Sequence, residues 1–295
     1  MGNAERRIWL IAGPTASGKS ALALHLADQH DAVIINTDSM QVYSILRLIT
    51  ARPSPEDEAR ATHVLYGHVD PSEAYSTAKW MNAVSSQLQE LLESKPVIFV
   101  GGTGLYFKAL LEGISDIPDV PSEVRTRWRG RLSEEGPAAL HRLLQSSDLQ
   151  SASQIKPTDG QRLVRALEVL EASGHPLSYW QGKRRSVLQG IENIEKIVLL
   201  PDRDVTRERI KKRFGAILCE GGVDEVGQLL ERDLDPSLPA MKAIGVSVCR
   251  SLLAGEITVE EALERGVIET SQYAKRQRTW FRNQFDQDWQ LLGSD

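Results

Sequence analysis

Close to its start the chain reads Gly13-Pro14-Thr15-Ala16-Ser17-Gly18-Lys19-Ser20, which has the G-x-x-x-x-G-K-[ST] spacing of a phosphate-binding loop. The apolar run 8–12 before it predicts a buried strand, and the run 21–27 after it predicts a helix. This order places backbone N–H groups and the positive end of a helix around one anion. We expect Lys19 to reach the outer phosphates and Ser20 to hold a Mg²⁺ ion. The stretch therefore predicts a diphosphate or triphosphate site, and it leaves open what happens to that ligand.

Further short apolar runs alternate with helical patterns outward from this loop. They cover residues 32–36, 64–69, 97–100 and 197–200. Continuous rather than alternating hydrophobicity is typical of parallel strands that are covered on both faces. With helical patterns between the strands, the runs predict an α/β fold in which a doubly wound parallel sheet carries the phosphate-binding loop.

The sheet pattern is interrupted at residues 118–196, where the sequence favours helices alone. One sign of a helix start there is the stretch Thr158-Asp159-Gly160-Gln161, which resembles a capping box. A second capping box is predicted at residues 258–261. We therefore predict a helical insertion domain at 118–196 within a catalytic core made of 1–117 and 197–295, the latter part largely helical.

The bulk composition of the 295 residues is that of an ordinary soluble protein, with a formal net charge of −5. No apolar run approaches the roughly 18 residues that a membrane span needs. The N-terminal residues contain no apolar signal core, so we expect a cytoplasmic protein without a membrane segment. Cys219 and Cys249 form no metal motif, and the six histidines show no ligand spacing. The acidic net charge argues against nucleic-acid binding.

Three local clusters of basic residues run against this acidic balance. Residues 272–283 carry four positive charges and no negative one, residues 125–131 have an arginine at every second position, and residues 183–185 read Lys-Arg-Arg. Such runs are usually solvated faces, whereas interleaved tryptophan favours a phosphate backbone as partner. Composition alone leaves both interpretations open. On one helix Arg276 would lie apart from three residues that can share a face: Lys275, Arg278 and Arg282.

Other polar residues are predicted to lie near the phosphate loop. Asp38 follows the second strand, so it should face the same crevice as the loop, where a carboxylate holds Mg²⁺ or takes a proton; the alternative is an N-cap or Asx turn. Thr103 stands where many ATPases have an acidic residue, which argues against a motor-type ATPase. One of Arg207, Arg209 and Arg213 could neutralise a leaving group.

Taken together, the motifs resemble one family, the tRNA dimethylallyltransferases, also called tRNA isopentenyltransferases. Beside the phosphate loop, the most particular pieces are Asp38-Ser39-Met40-Gln41-Val42-Tyr43, Val100-Gly101-Gly102-Thr103-Gly104 and Ala274-Lys275-Arg276-Gln277-Arg278-Thr279-Trp280. The matching stretches run in order from residue 13 to residue 282. The resemblance implies a phosphate-loop fold with a mobile helical insertion, a bacterial-type enzyme and an expected monomer.

The resemblance implies transfer of a dimethylallyl group from dimethylallyl diphosphate to N6 of adenosine 37, in tRNAs that read codons starting with U, with Mg²⁺ as cofactor. Asp38 matches the general base of the family, Thr103 its substrate-contacting threonine and Arg213 its diphosphate-binding arginine. The partner is expected to be the anticodon stem-loop of tRNA. The residues implied to contact tRNA are Asp38, Ser39, Met40, Gln41, Thr103, Arg125, Gln161, Arg162, Leu163, Val164 and Arg165. The basic tail adds Lys275, Arg278 and Arg282.

One stretch departs from the family pattern. Members often read Asp-Ile-Gly-Thr-Ala-Lys-Pro, whereas this chain reads Arg47-Leu48-Ile49-Thr50-Ala51-Arg52-Pro53, so the acid and the glycine are absent. Two other functions stay open at this point. One is an isopentenyltransferase for free AMP or ADP, or a small-molecule kinase, neither of which needs the basic tail. The other is a nucleotide-switched RNA-binding protein without catalysis, which would not need Asp38.

Overall fold

A six-stranded parallel sheet organises the part of the fold that carries the phosphate loop. The computed structural model describes residues 7–115, 117–181 and 184–293. The strands within them are β1 (Ile8–Ala12), β2 (Val33–Asn36), β3 (His63–Val64), β4 (Val97–Gly101), β5 (Ile114–Ser115), β6 (Arg184–Arg185), β7 (Ile194–Leu199) and β8 (Gln290–Leu292). The sheet order is β3-β2-β4-β1-β7-β8 and every neighbouring pair is parallel. The predicted doubly wound α/β fold is confirmed.

The observed strands differ from the predicted ones at the sheet edges. The strand predicted at 64–69 is only β3, because Leu65 and Gly67 turn the chain with positive φ angles of 64° and 56°. Strand β8 was not predicted, since its three residues carry no buried apolar run. The central strands β1 and β4 are buried throughout, as continuous apolar sequence between two neighbours requires.

Helices connect the strands and continue beyond the sheet. They are α1 (Lys19–His30), α2 (Arg47–Thr50), α3 (Pro55–Arg60), α4 (Thr77–Ser94), α5 (Gly104–Glu112), α6 (Ser122–Glu135), α7 (Pro137–Ser147), α8 (Leu149–Gln154), α9 (Gly160–Ser173), α10 (Leu177–Gln181), α11 (Arg203–Cys219), α12 (Gly222–Leu230), α13 (Val246–Leu253) and α14 (Val259–Gln284), with a 3-10 turn at Ala240–Lys242. None of the helices in the described ranges is long and apolar enough to cross a membrane.

The chain divides into two compact units, residues 1–108 with 190–295 and residues 109–189. The second unit overlaps the segment predicted as an insertion at 118–196, but it begins and ends earlier in the chain. Its end lies earlier because the sheet resumes at β7.

Two hydrophobic clusters stabilise the first unit. In one, Trp9 and Ile98 of the sheet pack with Ala23 of α1. In the other, Phe214 of α11 packs with residues of α12, α13 and α14 and with Val42 of the loop after β2. Removing this much apolar surface from water is the main favourable contribution to folding. The loop after β2 is therefore anchored in the second cluster through Val42.

The second unit is mostly a helical bundle, with Trp128, Leu140, Leu144 and Leu167 in its core. The prediction of helices alone for residues 118–196 is wrong in one respect, because β6 pairs antiparallel with β5. The predicted capping box at Thr158 is also wrong. Asp159 is the N-cap of α9 and accepts a hydrogen bond from the backbone N–H of Arg162 at 3.2 Å. Aspartate is as good an N-cap residue as threonine, and the helix begins one residue later than the capping box predicted.

Candidate active site

Three loops meet at the carboxyl edge of the sheet, because β2, β4 and β1 are neighbours in the parallel order. The loops after β1 and β2 line, together with α11 and α14, a cavity of about 460 Å³, here called the catalytic cavity. Its lining comes from parts of the chain that are distant in sequence. The residues used below are Thr15 to Ser20, Asp38 to Gln41, Ile49, Arg213, Phe214, Ile217, Lys242, Ile244, Thr270, Tyr273 and Arg276.

The phosphate loop has the conformation that its sequence predicts. Gly18 has a φ of 95°, which favours glycine, and α1 begins at the next residue, so the positive end of the helix opens into the cavity. A side chain at Gly13 would lie 2.6 Å from Ser17 Oγ and 2.9 Å from the carbonyl oxygen of Leu199. Arg209 supports the loop from outside by donating to the carbonyl oxygen of Ser17 at 3.2 Å. The glycines of the loop and the contact from Arg209 therefore stabilise the conformation that binds an anion.

Two cations lie beside this loop. The Lys19 ammonium donates to the carbonyl oxygen of Pro14 at 3.2 Å. Loss of hydration lowers the pKa of Lys19 to about 8, with Asp38 opposing this effect and Arg213 adding to it. Burial also lowers the pKa of Arg213, and Asp38 again opposes the effect. Two partly dehydrated cations near one carboxylate make the cavity a strong site for a multiply charged anion.

Asp38 forms an Asx turn, the structural alternative that the sequence left open, and it also lines the catalytic cavity. Its Oδ1 accepts a hydrogen bond from the backbone N–H of Met40 at 2.9 Å, which is an Asx turn. Asn36 fixes the same turn, since its Oδ1 accepts from the Asp38 N–H at 2.8 Å. The half-buried carboxylate nevertheless lines the same cavity as the phosphate loop. The turn therefore orients the carboxylate.

Thr103 supports this turn from the neighbouring strand. Its Oγ1 accepts from the Ser39 N–H at 2.9 Å and donates to Ser39 Oγ at 3.2 Å. Gly101 makes the close approach possible, because a side chain there would collide with the backbone of Thr37. Thr103 itself is absent from the lining of the catalytic cavity, so its contact is with the Asp38 loop rather than with the cavity interior.

The apolar part of the cavity lining, here called the apolar wall, was not predicted. Ile49, Phe214, Ile217 and Ile244 line the catalytic cavity and come from α2, α11 and the segment before α13. Ile49 takes the position of the glycine in the common family pattern, and it is buried at 4% exposure. The only signal in the sequence was the helical spacing of the two α11 residues, which core packing explains equally well.

The stretch at residues 47–53, which differs from the family pattern, has its own stabilising contacts. The carboxylate of Glu225 accepts from the backbone N–H groups of Leu48 at 2.8 Å and Ile49 at 3.1 Å. Arg47 pairs with Glu58 at 3.2 Å. The arginine thus replaces the family's acid without lining the catalytic cavity.

A second cavity, of about 340 Å³, lies beside α11 and α14 and is here called the basic cavity. The prediction that Lys275, Arg278 and Arg282 share a face is confirmed, since all three line it. Arg203 and Arg207 of α11 add two cations; Arg207 was considered from the sequence only as a group that could neutralise a leaving group, and Arg203 was not considered. Its other lining residues are Pro14, Asp204, Thr206, Ile210, Ser271, Ala274 and Thr279.

Arg278 differs from the other cations of the basic cavity. It donates to the carbonyl oxygens of Leu200 at 2.9 Å and Pro201 at 2.7 Å. Burial lowers the pKa of Arg278, and the positive charges of Arg282 and Arg203 add to this effect. Arg278 therefore has a structural contact in addition to its charge. Arg276, predicted to lie apart from these three, lines the catalytic cavity, with its guanidinium 5.8 Å from the ring centre of Tyr273.

The residues predicted to contact tRNA in the helical unit divide by helix face. Arg125, Gln161, Arg162 and Arg165 are exposed. Leu163 and Val164 are 0% and 6% exposed in the core of that unit, so contact of their side chains with RNA is excluded and that part of the prediction is wrong. A contiguous motif crosses both faces of a helix, which explains the error.

Two of the exposed arginines are also paired on their own helix. Arg162 lies 3.2 Å from Asp159, and Arg165 lies 3.7 Å from Glu168. In the third basic cluster, Lys183 lies outside the described residues.

Residues that fit a Mg²⁺ ion are few. Among the described residues no group of three or more His, Cys, Asp or Glu side chains could hold a metal. Ser20 and Asp38 both line the catalytic cavity beside the phosphate loop. Mg²⁺ retains water and phosphate oxygens in such sites, so one hydroxyl with a bound diphosphate suffices. The donor set therefore fits an ion that arrives with its diphosphate.

A parallel sheet with a phosphate loop, and a carboxylate that lines the same cavity, define a protein of the phosphate-loop α/β class. Comparison with known proteins identifies the particular family. The chain belongs to the family described as IPP transferase, whose model matches residues 41–284.

The relatives agree with this assignment over almost the whole chain. A protein of Chelativorans sp. (strain BNC1) named tRNA dimethylallyltransferase is 58% identical over 284 residues, which cover 96% of this chain and 97% of the relative. A protein of Bartonella henselae with the same name is 52% identical and covers 97% of this chain and 99% of the relative.

Solved structures show the same fold. A tRNA isopentenylpyrophosphate transferase from Bacillus halodurans is 31% identical, with a TM-score of 0.67 and coverage of 98% of this chain and 90% of its own. A eukaryotic dimethylallyltransferase acting on tRNA is 26% identical, with a TM-score of 0.80 and coverage of 97% and 73%.

Proposed function

We propose that this protein transfers a dimethylallyl group from dimethylallyl diphosphate to N6 of adenosine 37 in tRNAs that read codons starting with U. The observation that carries the proposal is the catalytic cavity, in which Asp38 lines the same space as Lys19 and Arg213. The apolar wall gives a five-carbon chain a place beside the diphosphate site. The names of the relatives support the same substrate.

The residues divide the chemistry between them. The bond between the allylic carbon and the diphosphate oxygen breaks, a new bond forms from that carbon to N6, and the N6 proton passes to Asp38. Lys19, Arg213 and the loop N–H groups stabilise the charge that develops on the departing diphosphate. Mg²⁺, held by Ser20 with diphosphate oxygens, would neutralise part of that charge.

The exocyclic nitrogen is a poor nucleophile, because its lone pair is delocalised into the adenine ring. A base that removes its proton as the new bond forms is therefore worth a large factor in rate. The Asx turn at Met40 and the contact between Ser39 and Thr103 fix the Asp38 carboxylate for this purpose. Adenosine 37 has to leave its stack to reach the carboxylate.

The tRNA backbone is proposed to bind at positive charges outside the catalytic cavity. In the first unit these are the cations of the basic cavity, and in the second unit they are Arg125, Arg162 and Arg165 with Gln161. Contacts of this kind position the nucleic acid without reading its sequence. A cytoplasmic location and a monomeric state belong to the same proposal, since tRNA is a cytoplasmic substrate and each chain contains a whole cavity.

One assay tests the proposal against its alternatives. The protein is incubated with labelled dimethylallyl diphosphate and Mg²⁺, with unmodified tRNA in one reaction and AMP or ADP in another. We expect label in tRNA alone. Label in the free nucleotide would favour the small-molecule enzyme, and tRNA binding without transfer would favour a non-catalytic RNA-binding protein.

A further inference from the structure

One buried amide joins three segments of the active site. Gln277 of α14 is 6% exposed. Its Oε1 accepts a hydrogen bond from the backbone N–H of Thr15 at 2.9 Å, and its Nε2 donates to the carbonyl oxygen of Gly102 at 2.8 Å. A buried amide with both ends in hydrogen bonds has one defined orientation. A single side chain therefore connects α14, the phosphate loop and the turn after β4.

The turn after β4 is packed against the same helix without spare room. A side chain at Gly102 would collide with Gln277 Nε2 and lie 3.2 Å from Asp38 Oδ2. A side chain at Gly104 would collide with the ring of Trp280. Gln277 and Trp280 are three residues apart and share a helix face. Gly102 thus separates the amide of Gln277 from the carboxylate of Asp38.

The two hydrogen bonds of Gln277 end at two functionally different places. Thr15 and Lys19 both line the catalytic cavity on the diphosphate side. Gly102 and Thr103 flank the Asp38 loop on the nucleophile side. Transfer requires both sides at a fixed separation, since a small displacement of reacting groups costs a large factor in rate.

We propose that Gln277 is a positioning residue, which holds the phosphate loop and the turn beside Asp38 in register so that diphosphate and base act on one substrate. The proposal rests on the proposed function, because the register matters only if both sides take part in one reaction. It also gives a role to Gln277 itself, which follows Lys275 and Arg276 in the sequence. The sequence pattern of this segment had indicated a role only for its charged and aromatic residues.

The test replaces the amide by a side chain of similar length that makes neither hydrogen bond. For Gln277→Met we expect the dissociation constant of inorganic diphosphate to rise on the order of 10-fold, because the loop loses its fixed shape. The single-turnover transfer rate at saturating substrates should fall by a further factor on the order of 10. The matched control is Gln228→Met, at an exposed position of α12, which should leave both quantities unchanged.

A double-mutant cycle separates positioning from general loss of stability. If Gln277 acts through the loop that presents Lys19, the effects of Gln277→Met and Lys19→Ala on diphosphate affinity will be less than additive. Full additivity in folded variants would overturn the proposal. Should Gln277→Met fail to fold, Gln277→Leu also makes neither hydrogen bond and adds no charge, and the same loss of diphosphate affinity is expected.

The two proposals fail differently. Transfer by the wild type with an unchanged diphosphate dissociation constant in folded Gln277→Met overturns the role of Gln277 alone. Absence of transfer by the wild type overturns the proposed function, whereas the titration with inorganic diphosphate still decides whether Gln277 shapes the loop.

Discussion

The catalytic cavity and the basic cavity share helix α14 and both contain more cations than acids, but they differ in what accompanies the charges. In the catalytic cavity Lys19, Arg213, Lys242 and Arg276 lie with one carboxylate, Asp38, and with the apolar wall. In the basic cavity five cations lie with one acid, Asp204, and the phosphate loop contributes only Pro14. A carboxylate beside a phosphate loop and an apolar wall suits a reaction in which charge moves, whereas a large excess of positive charge suits affinity for a polyanion.

This difference has a measurable consequence. Variants of the catalytic cavity should change the rate of transfer and the affinity for diphosphate, and they should leave the salt dependence of tRNA binding unchanged. Variants of the basic cavity should do the reverse. Both cavities border helix α14. A variant that only destabilises this helix should therefore change neither the transfer rate nor the affinity for tRNA.

The largest effect is expected from Asp38→Asn, which keeps the shape of the side chain and its acceptor for the Met40 N–H. The single-turnover rate should fall by about 10²–10⁴-fold, the usual contribution of a general base. Affinity for dimethylallyl diphosphate should stay the same. If the variant instead loses Mg²⁺-dependent diphosphate binding and keeps its rate, Asp38 is a metal ligand and the comparison fails.

Lys19→Ala should weaken diphosphate binding by roughly 10–100-fold, since a hydrogen bond to a charged group is lost in a poorly hydrated cavity. Isothermal titration with dimethylallyl diphosphate measures the change. The salt dependence of tRNA binding serves as the internal control and should not move. Undiminished affinity in a folded Lys19→Ala protein would refute the assignment of the loop.

A pH titration tests the contribution of the Lys19 charge to diphosphate binding in a second way. Because burial lowers the pKa of Lys19 to about 8, the free protein loses this cation as the pH rises through that value. Affinity for dimethylallyl diphosphate should therefore fall on the order of tenfold between about pH 7.5 and pH 9.5. Lys19→Arg keeps its charge over this range, so its affinity should be nearly flat. Parallel curves for the two proteins would contradict the role of Lys19.

A smaller effect is expected from neutralising the basic cavity. The variant combines Arg207→Gln, Lys275→Gln and Arg282→Gln and spares Arg278, whose contacts with Leu200 and Pro201 are structural. The slope of tRNA affinity against salt should become flatter by roughly one to three units, about one for each lost phosphate contact. Diphosphate affinity should not change. Identical slopes would mean that the cavity is a solvated basic face.

The smallest effect should come from the start of α14. Thr258→Ala removes the capping box that Thr258 forms with Glu261. Chemical denaturation should show a loss of about 1 kcal/mol in the free energy of unfolding. Transfer rate and tRNA affinity should both remain as in the wild type. A change in either would show that helix stability, rather than side-chain charge, distinguishes the cavities.

The sequence predicted those parts of the site that depend on short stretches. The phosphate loop and Asp38 each follow a strand directly, so the order of a parallel sheet was enough to bring them together. The apolar wall could not be predicted in this way, because Ile49, Phe214 and Ile244 come from three separate segments. Nothing in a single sequence distinguishes such residues from ordinary core.

Two errors have the same physical origin. Leu163 and Val164 were included with the exposed residues around them because a contiguous motif ignores which face of a helix each residue occupies. Arg203 and Arg207 were overlooked as partners of the basic tail because only the packing of α11 against α14 brings them into one cavity. Helix faces and helix pairs are tertiary information, and local patterns carry little of it.

The most direct test of the account is the position of the transferred group in tRNA. Unmodified tRNA is incubated with dimethylallyl diphosphate and either the wild type or Asp38→Asn, and the digested product is analysed by mass spectrometry. The account predicts one dimethylallyl group on N6 of adenosine 37 with the wild type and almost none with the variant under the same conditions. Modification at another nucleoside, or equal modification by the two proteins, would contradict it.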